Sequence, residues 1–171
     1  MACRTFRSSS SRCPCIRWMA AALFIFLLFF LTSCAAWTTR VNQVYEGDTI
    51  NVSRRGFQSD ILFFGIDCPE KDQPFGAQAR AFVEKTLQNK TVDVIMAKQV
   101  RRNRPMGYVY VDGQLLNEIL IKKGLAWVDD EYCRKGLCEK WRRMEKEARQ
   151  SGIGLWSQPD PVPPWQWRQK K

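Results

Sequence analysis

Two acidic turns, each placed directly after an alternating, strand-like segment, constrain this chain most strongly. The first is the sequence Glu-Gly-Asp-Thr at 46–49, and the second is Gly-Ile-Asp-Cys-Pro-Glu at 65–70. Because a turn-forming residue stands beside each carboxylate, Asp48, Asp67 and Glu70 can meet at one mouth of a small sheet. Such oxygen ligands suit a hard cation. The chain contains no histidine, which excludes histidine-based triads, general bases and zinc ligands.

The first 33 residues are interpreted as an export signal of the lipoprotein type. Four arginines precede an unbroken apolar stretch at 18–31, which is the order found in signal peptides. The sequence Leu-Thr-Ser-Cys that follows resembles a bacterial lipoprotein cleavage site, so Cys34 would carry lipid and begin the mature chain. An uncleaved membrane anchor is the alternative, since about twenty apolar residues can span a bilayer. We expect an extracytoplasmic, membrane-anchored protein, with secretion as the alternative, and a short linker at 34–39.

The remainder of the chain is long enough for one domain and too short for two. Removing 33 of the 171 residues leaves 138, which is a common size for a single domain. The formal net charge of +10 falls to +6 without the four arginines of the signal. This balance favours a polyanionic partner, although it also suits solubility or an anionic membrane surface. No obligate protein partner is expected, and we predict a monomer.

Three cysteines remain after the signal and Cys34 are set aside. Cys133 and Cys138 close a short loop and are predicted to form a disulfide, which an extracytoplasmic location allows. A zinc site would need a fourth ligand that a chain without histidine cannot supply. Cys68 is then an unpaired thiol inside the second acidic turn, where a small residue fits.

The hydrophobic pattern predicts an α+β fold with a mainly β core. Alternation at 40–45, 49–53 and 60–66 indicates a β-meander. Further segments are strand-like at 92–96 and 107–111, and helical at 75–87, from 116 to 124 and at 141–148. Five strands and three packed helices in this order predict an OB-fold-like Greek-key barrel over 40–157. The Pro- and Trp-rich tail at 158–171 is expected to be an extended strap against the domain or a flexible end.

Six motifs give the chain a resemblance to the staphylococcal nuclease-like, or thermonuclease, family over residues 41–156. In chain order they are EGDTI at 46–50, GIDCPE at 65–70, PFGAQAR at 74–80, GYVYVDG at 107–113, LIKKGLAWV at 120–128 and SGIGLW at 151–156. Several motifs in one order are far more specific than any one of them.

The resemblance implies a metal site and a water-activating group. Asp48 and Asp67 would hold Ca²⁺ through their carboxylates, and the backbone carbonyl of Cys68 would complete the protein ligands. Carbonyl ligation places no demand on the side chain at that position. Another oxygen-seeking divalent ion would satisfy the same ligands. Glu70 matches the family glutamate that orients, and can deprotonate, the attacking water.

The resemblance also implies cationic contacts to phosphate. Arg104 matches one of two family arginines that stabilise charge on the phosphate during attack. Arg101 and Arg102 are expected to bind flanking phosphates, and Tyr132 is expected to stack against a nucleotide base. The basic residues at 101–104 are otherwise typical of an ordinary charged hairpin turn.

The second family arginine is missing, because Leu62 stands at its position. A substitute is expected from Arg54, Arg55 or the basic residues at 101–104. The predicted function is Ca²⁺-dependent hydrolysis of DNA and RNA phosphodiester bonds with low sequence specificity. The alternative is a catalytically weakened family member that binds nucleic acid or another polyanion without cutting it.

Overall fold

The computed structural model describes residues 36–134 and 136–170. Its strands are β1 Trp37–Glu46, β2 Thr49–Arg54, β3 Phe57–Phe63, β4 Ile66–Asp67, β5 Thr91–Arg101, β6 Arg104–Val111, β7 Gln114–Leu115 and β8 Trp127–Val128. Its α-helices are α1 Gly76–Leu87, α2 Leu116–Lys122, α3 Leu137–Gln150 and α4 Pro164–Trp167, with 3₁₀ turns at Gly154–Ser157 and Arg168–Lys170. The predicted signal and Cys34 lie outside these residues. Within them, no helix is long and apolar enough to cross a membrane.

Five strands of the described chain close into a barrel. β1, β2 and β3 form the predicted antiparallel meander, and β1 also pairs with β5, which pairs with β6. A parallel contact between β3 and β6, at Leu62 opposite Met106 and Phe63 opposite Gly107, closes the ring. The predicted class, a mainly β barrel with packed helices, is confirmed. β1 begins at Trp37, which lies inside the segment expected to be a linker.

Alternation of apolar and polar side chains explains the barrel core. Ile50, Val52, Ile61, Phe63 and Val109 are fully buried in its interior. Their positions two residues apart along β2 and β3 place them on one face of the sheet. The helices α1, α2 and α3 cover the outside of the barrel through a shared cluster of buried apolar residues.

The C-terminal tail lies against the domain, as the expected strap would, and it is partly helical, which corrects the expectation that it is extended or flexible. Pro164 is buried at the first position of α4, where proline fits because no helical hydrogen bond is required of it. Trp165 packs against a second apolar cluster that includes Trp127 and Trp156. The ring centroids of Trp127 and Trp165 are 5.8 Å apart in an edge-on arrangement, which is a favourable aromatic geometry. The tail is therefore part of the folded unit.

Three connections meet at one mouth of the barrel. The β1–β2 turn carries Asp48, and β4 carries Asp67 and pairs with β8. The β5–β6 hairpin turns through Arg102 and Asn103, which have φ values of 48° and 62°. Two consecutive residues with positive φ match the backbone twist of a tight hairpin. The hairpin thereby holds its arginines next to the acidic turns.

Candidate active site

A small cavity of about 170 Å³ lies at this mouth of the barrel. Carboxylates and arginines make up most of its lining. Among the described residues, the lining comprises Glu46, Asp48, Asp67 and Glu70, the arginines Arg101, Arg102, Arg104 and Arg168, and Thr49 with Leu62. The structure thus places Asp48, Asp67, Glu70, Arg101, Arg102 and Arg104 together, as the sequence predicts, and adds Glu46 and Arg168 to them.

Asp48 is held by a tightly packed turn. A Cβ atom at Gly47 would lie 2.8 Å from the Cβ of Ala79 and 2.9 Å from the Sγ of Cys68, so only glycine lets the turn approach α1 this closely. The carboxylate of Asp48 accepts hydrogen bonds from the Thr49 hydroxyl at 2.9 Å and from the Cys68 backbone N–H at 2.8 Å. Asp48 is therefore fixed relative to the second acidic turn.

Asp67 lies between two arginines. Its Oδ2 atom accepts from Arg101 at 2.8 Å and from Arg168 at 2.7 Å. Arg101 also forms an ion pair of 3.4 Å with Asp129, and its side chain is only 10% exposed. A guanidinium buried between two carboxylates serves first to hold them, and the expected contact of Arg101 with a flanking phosphate stays a prediction.

Glu70 is positioned through both its backbone and its side chain. Its N–H donates to Oε1 of Gln73 at 3.1 Å, and a Cβ atom at Gly76 would lie 1.8 Å from its carbonyl oxygen. The start of α1 therefore packs directly on this turn. Its side-chain Oε1 accepts from Arg168 at 2.6 Å. The carboxylate faces the cavity in a fixed orientation.

The negative charge of Asp48 is poorly compensated within the cavity. Burial, together with the nearby charge of Asp67, raises the pKa of Asp48 to about 7. Burial and the charge of Glu70 also raise the pKa of Glu46, against the opposing effect of Arg104. Both shifts have the cause expected for carboxylates that share a desolvated site. A cation placed among them would reverse these shifts.

Asp48 and Asp67 could hold a divalent cation together. No group of three or more Asp, Glu, Cys or His side chains in residues 36–134 and 136–170 is arranged to hold a metal ion. The expected ligand set, however, contains only two carboxylates and the carbonyl of Cys68. Both carboxylates are buried, and an added divalent ion would offset both the burial and the charge of Asp67 that raise the pKa of Asp48. The donor chemistry therefore fits a hard cation.

The side of the cavity next to β3 is apolar. Leu62 lies there with only 4% of its surface exposed. Arg102 and Arg104 border the cavity from the hairpin and are exposed. Within the described part of the chain, neither forms an ion pair, so both guanidinium groups are available to an anion.

A larger groove of about 640 Å³ adjoins the cavity and shares Arg101, Arg102 and Arg168 with it. Tyr132 and Trp165 supply aromatic faces to this groove. Tyr132 thus lies beside the cavity and not in it, with the Arg101 guanidinium 5.7 Å from its ring centroid. Cys133 and Cys138 form a disulfide directly after Tyr132, which ties this wall to the start of α3.

Sequence reasoning missed four residues of the site, one of which, Glu46, lies two positions before Asp48 in the first acidic turn. Asp129 follows directly after β8, and the sequence indicates that this segment is buried and extended. Because β8 pairs with the strand that carries Asp67, Asp129 reaches the same site. Arg168 and Trp165 lie in the tail, whose composition gave no sign that it reaches the barrel mouth. The substitute arginine was expected from residues 54–55 or 101–104, and the structure brings Arg168 to Glu70 instead.

Comparison with known proteins identifies the family. Residues 60–158 match the family model described as staphylococcal nuclease homologue. An uncharacterized endonuclease of Escherichia coli O157:H7 is 36% identical over 150 residues, which cover 87% of this chain and 96% of that protein. Micrococcal nuclease of Shigella flexneri is 30% identical over 158 residues, covering 87% and 90%. The staphylococcal-like nuclease CAN1 of Arabidopsis thaliana is 37% identical over 111 residues, covering 65% and 33%. The chain belongs to the staphylococcal nuclease family.

Proposed function

We propose that this chain is a Ca²⁺-dependent nuclease that hydrolyses the phosphodiester bonds of DNA and RNA with little sequence preference. Its family makes it a nuclease, and that family is generally metal-dependent. The choice of Ca²⁺ and of both nucleic acids is the proposed part. The observation that carries it is the single cavity in which Asp48, Asp67 and Glu70 meet several arginines.

Asp48, Asp67 and the backbone carbonyl of Cys68 are the proposed protein ligands of the ion. When bound, the ion supplies Lewis-acid stabilisation of a phosphate oxygen. A set made only of oxygens favours Ca²⁺ or a similar hard ion. The thiol of Cys68 is a poor ligand, because burial and the charge of Asp48 hold its pKa well above the ordinary value. Softer metals that prefer thiolate are therefore not expected here.

Glu70 is the proposed acceptor of a proton from the attacking water. Its Oε1 already accepts a hydrogen bond from Arg168, which leaves Oε2 to meet the water. The water oxygen would bond to phosphorus while the opposite P–O bond breaks, and the proton of the water would pass to the carboxylate. The leaving alkoxide would take a proton from solvent. Arg104 faces the same cavity from the hairpin and would donate hydrogen bonds to the phosphate oxygens as charge builds on them.

Low sequence specificity follows from the kind of contact that the site offers. Arginines bind phosphates, which carry no sequence information directly. In the adjoining groove, Tyr132 and Trp165 can stack on bases, and stacking tolerates any base. These contacts are common to DNA and RNA, so we propose that both are substrates, with Arg102 binding a flanking phosphate.

We further propose that the protein acts outside the cytoplasm, attached to a membrane through its N-terminal segment. The arginines and apolar run before Cys34 support this proposal. The Cys133–Cys138 disulfide fits an oxidising compartment. In Triton X-114 partition, the wild-type chain should enter the detergent phase with a lipid-modified Cys34. A Cys34→Ala chain that partitions identically, with no lipid detected by mass spectrometry, would remove the lipoprotein part of the proposal.

The catalytic part of the proposal is tested with the full-length chain and labelled single-stranded DNA and RNA. Cleavage should require added Ca²⁺, stop with EDTA and fall to background in an Asp48→Ala variant. Parallel assays with Mg²⁺ and Mn²⁺ identify the preferred ion. If the wild-type chain cuts no faster than Asp48→Ala, hydrolysis is excluded, and salt-sensitive binding without turnover would identify a polyanion-binding protein.

A further inference from the structure

Arg168 makes the densest set of ionic contacts in the cavity, although it comes from the docked tail. Its Nη1 donates to Oε1 of Glu70 at 2.6 Å and to Oδ1 of Asp67 at 3.2 Å. Its Nη2 donates to Oδ2 of Asp67 at 2.7 Å. The side chain is only 20% exposed. Arg168 lies outside the residues that match the family model, which end at 158.

The other arginines of the cavity form no hydrogen bond with the Glu70 side chain in the described part of the chain. Arg101 is committed to Asp67 and Asp129. On the β3 side the cavity is lined by Leu62, and the sequence has no basic residue from 57 to 70. Of the described residues, Arg168 is the basic one that forms a hydrogen bond with the Glu70 side chain.

One donor of this arginine remains available. The Nε atom of Arg168 is buried and forms no hydrogen bond with any described residue. Buried donors are almost always paired, so an unpaired one calls for an acceptor. Nε–H and the neighbouring N–H groups form the planar fork that binds phosphate oxygens. A phosphate oxygen in the cavity would satisfy this donor.

Contacts between the tail and the domain hold the Arg168 side chain in the cavity. Gln73 donates from Nε2 to the carbonyl of Val162 at 2.6 Å while its Oε1 accepts from the N–H of Glu70. One buried amide thus links the tail to the turn that carries Glu70. Trp165 packs on Trp127 three residues before Arg168. A side chain on such a supported segment is preorganised for its target.

We propose that Arg168 is a phosphate-contacting catalytic arginine of this nuclease, supplied by the C-terminal tail to a site whose β3 side is closed by Leu62. This inference rests on the proposed function. Arg168 stays protonated throughout, so it transfers no proton. It fixes Oε1 of Glu70, while Glu70 takes the proton of the attacking water, and its remaining donors stabilise the charge that builds on the phosphate oxygens as the P–O bond breaks.

The first test compares Arg168→Ala with Lys170→Ala in the full-length chain. Both variants remove one positive charge from the same 3₁₀ turn, but Lys170 is exposed and does not line the cavity. Loss of a preorganised donor should lower kcat about 100-fold to 1000-fold in Arg168→Ala, and Lys170→Ala should stay within about twofold of wild type, by the neutrality of most surface changes. Circular dichroism confirms that each variant is folded.

The second test needs no metal. Binding of a labelled single-stranded phosphorothioate oligonucleotide is measured in EDTA at several salt concentrations. Losing one phosphate contact should reduce the slope of log K against log salt by about 0.7 for single strands. We expect this change in Arg168→Ala and not in Lys170→Ala. Equal slopes in wild type and Arg168→Ala would overturn the proposed contact.

A third variant keeps the test decisive if Arg168→Ala is unfolded. Arg168→Lys keeps the charge but loses the planar fork, so kcat should fall at least about tenfold. Wild-type kcat in Arg168→Lys, or faster cleavage by a folded Arg168→Ala, would overturn the inference, and the faster outcome would identify the tail as an inhibitor. A wild-type chain that does not cut at all would instead refute the proposed function, which separates the two failures.

Discussion

Two acidic sites in this molecule use carboxylates for opposite purposes. At the barrel mouth, Asp48 lies beside Asp67, and burial with like charge raises its pKa to about 7. Between α2 and α3, Glu118 accepts from Lys140 at 2.8 Å and from the indole N–H of Trp141 at 3.0 Å. Although burial alone would raise the pKa of Glu118, these donors lower it below the ordinary value.

The contrast separates a binding site from a structural contact. The charge of Glu118 is matched by its donors, so ionisation stabilises the fold. The charge of Asp48 is poorly matched within the protein, so its ionisation costs stability until a cation joins the site. Proteins commonly accept such a local cost where function requires it. Variants that remove one charge from each site should therefore behave in opposite ways.

The largest expected effect is on catalysis by Glu70. Glu70→Gln keeps the shape of the side chain but cannot accept the proton, so kcat should fall about 100-fold to 10,000-fold. Glu118→Gln, the matched change at the structural contact, should keep kcat within about twofold. Steady-state cleavage of one oligonucleotide by both variants decides the point. A larger loss in Glu118→Gln than in Glu70→Gln would reverse the assignment of the two sites.

A smaller catalytic loss is expected at the hairpin. Arg104→Ala removes from the cavity a guanidinium that forms no ion pair with a described residue, and kcat should fall about 100-fold to 1000-fold. Lys98→Ala is the control, because Lys98 is an exposed residue of the same hairpin that does not line the cavity. In single-turnover assays, Arg104→Ala should cleave about 100-fold to 1000-fold more slowly than Lys98→Ala. Equal rates would mean that the hairpin contributes only general positive charge.

Stability should change with pH in a characteristic direction at Asp48. A carboxyl group whose folded pKa is raised from 3.8 to about 7 binds its proton more tightly in the folded state. Its ionisation therefore destabilises the fold increasingly from pH 4 to pH 7, by about 1.4 kcal/mol for each pH unit at most. In EDTA, Asp48→Asn should gain stability relative to wild type over this range while losing nuclease activity. Urea unfolding at several pH values measures the difference, and a gap that does not widen would contradict the assigned shift.

The opposite and smallest trend is expected at Glu118. Because its folded pKa lies below the ordinary 4.5, its ionised form stabilises the fold above that pH, and the benefit is lost as the pH falls through the folded pKa. Glu118→Gln should thus be less stable than wild type at pH 7. The expected loss is only about 1 kcal/mol, because Lys140 is half exposed and solvent weakens its ion pair with Glu118. The two chains should converge once the pH has fallen below the folded pKa of Glu118. If the stability of Asp48→Asn and of Glu118→Gln relative to wild type changed in the same direction with pH, the proposed difference between the two sites would be wrong.

Local patterns predicted most of the barrel and the acidic half of the site. The alternation along β1, β2 and β3 fixed the meander, and the two acidic turns fixed the meeting of Asp48, Asp67 and Glu70. These features depend on side-chain period and turn chemistry within a few residues. The family resemblance supplied the expected roles of these residues, which are metal binding for Asp48 and Asp67 and water activation for Glu70.

Long-range packing decided what the sequence did not predict. Arg101 is buried because Asp129 arrives next to Asp67 through the β4–β8 pair. The tail docks because Trp165 packs on Trp127 and Gln73 donates a hydrogen bond to the carbonyl of Val162. No periodicity within the tail encodes such contacts, since each partner lies far away in sequence.

The bond between Arg168 and Asp67 joins residues 101 positions apart, and this separation bears on how the protein is made. During synthesis the carboxylates leave the ribosome long before Arg168 does. The barrel can close while the cavity still lacks its tail arginine, because β6, which completes the ring, ends at Val111. If Arg168 contacts the phosphate as proposed, cleavage by a nascent chain should stay about 100-fold to 1000-fold slower until the tail has docked.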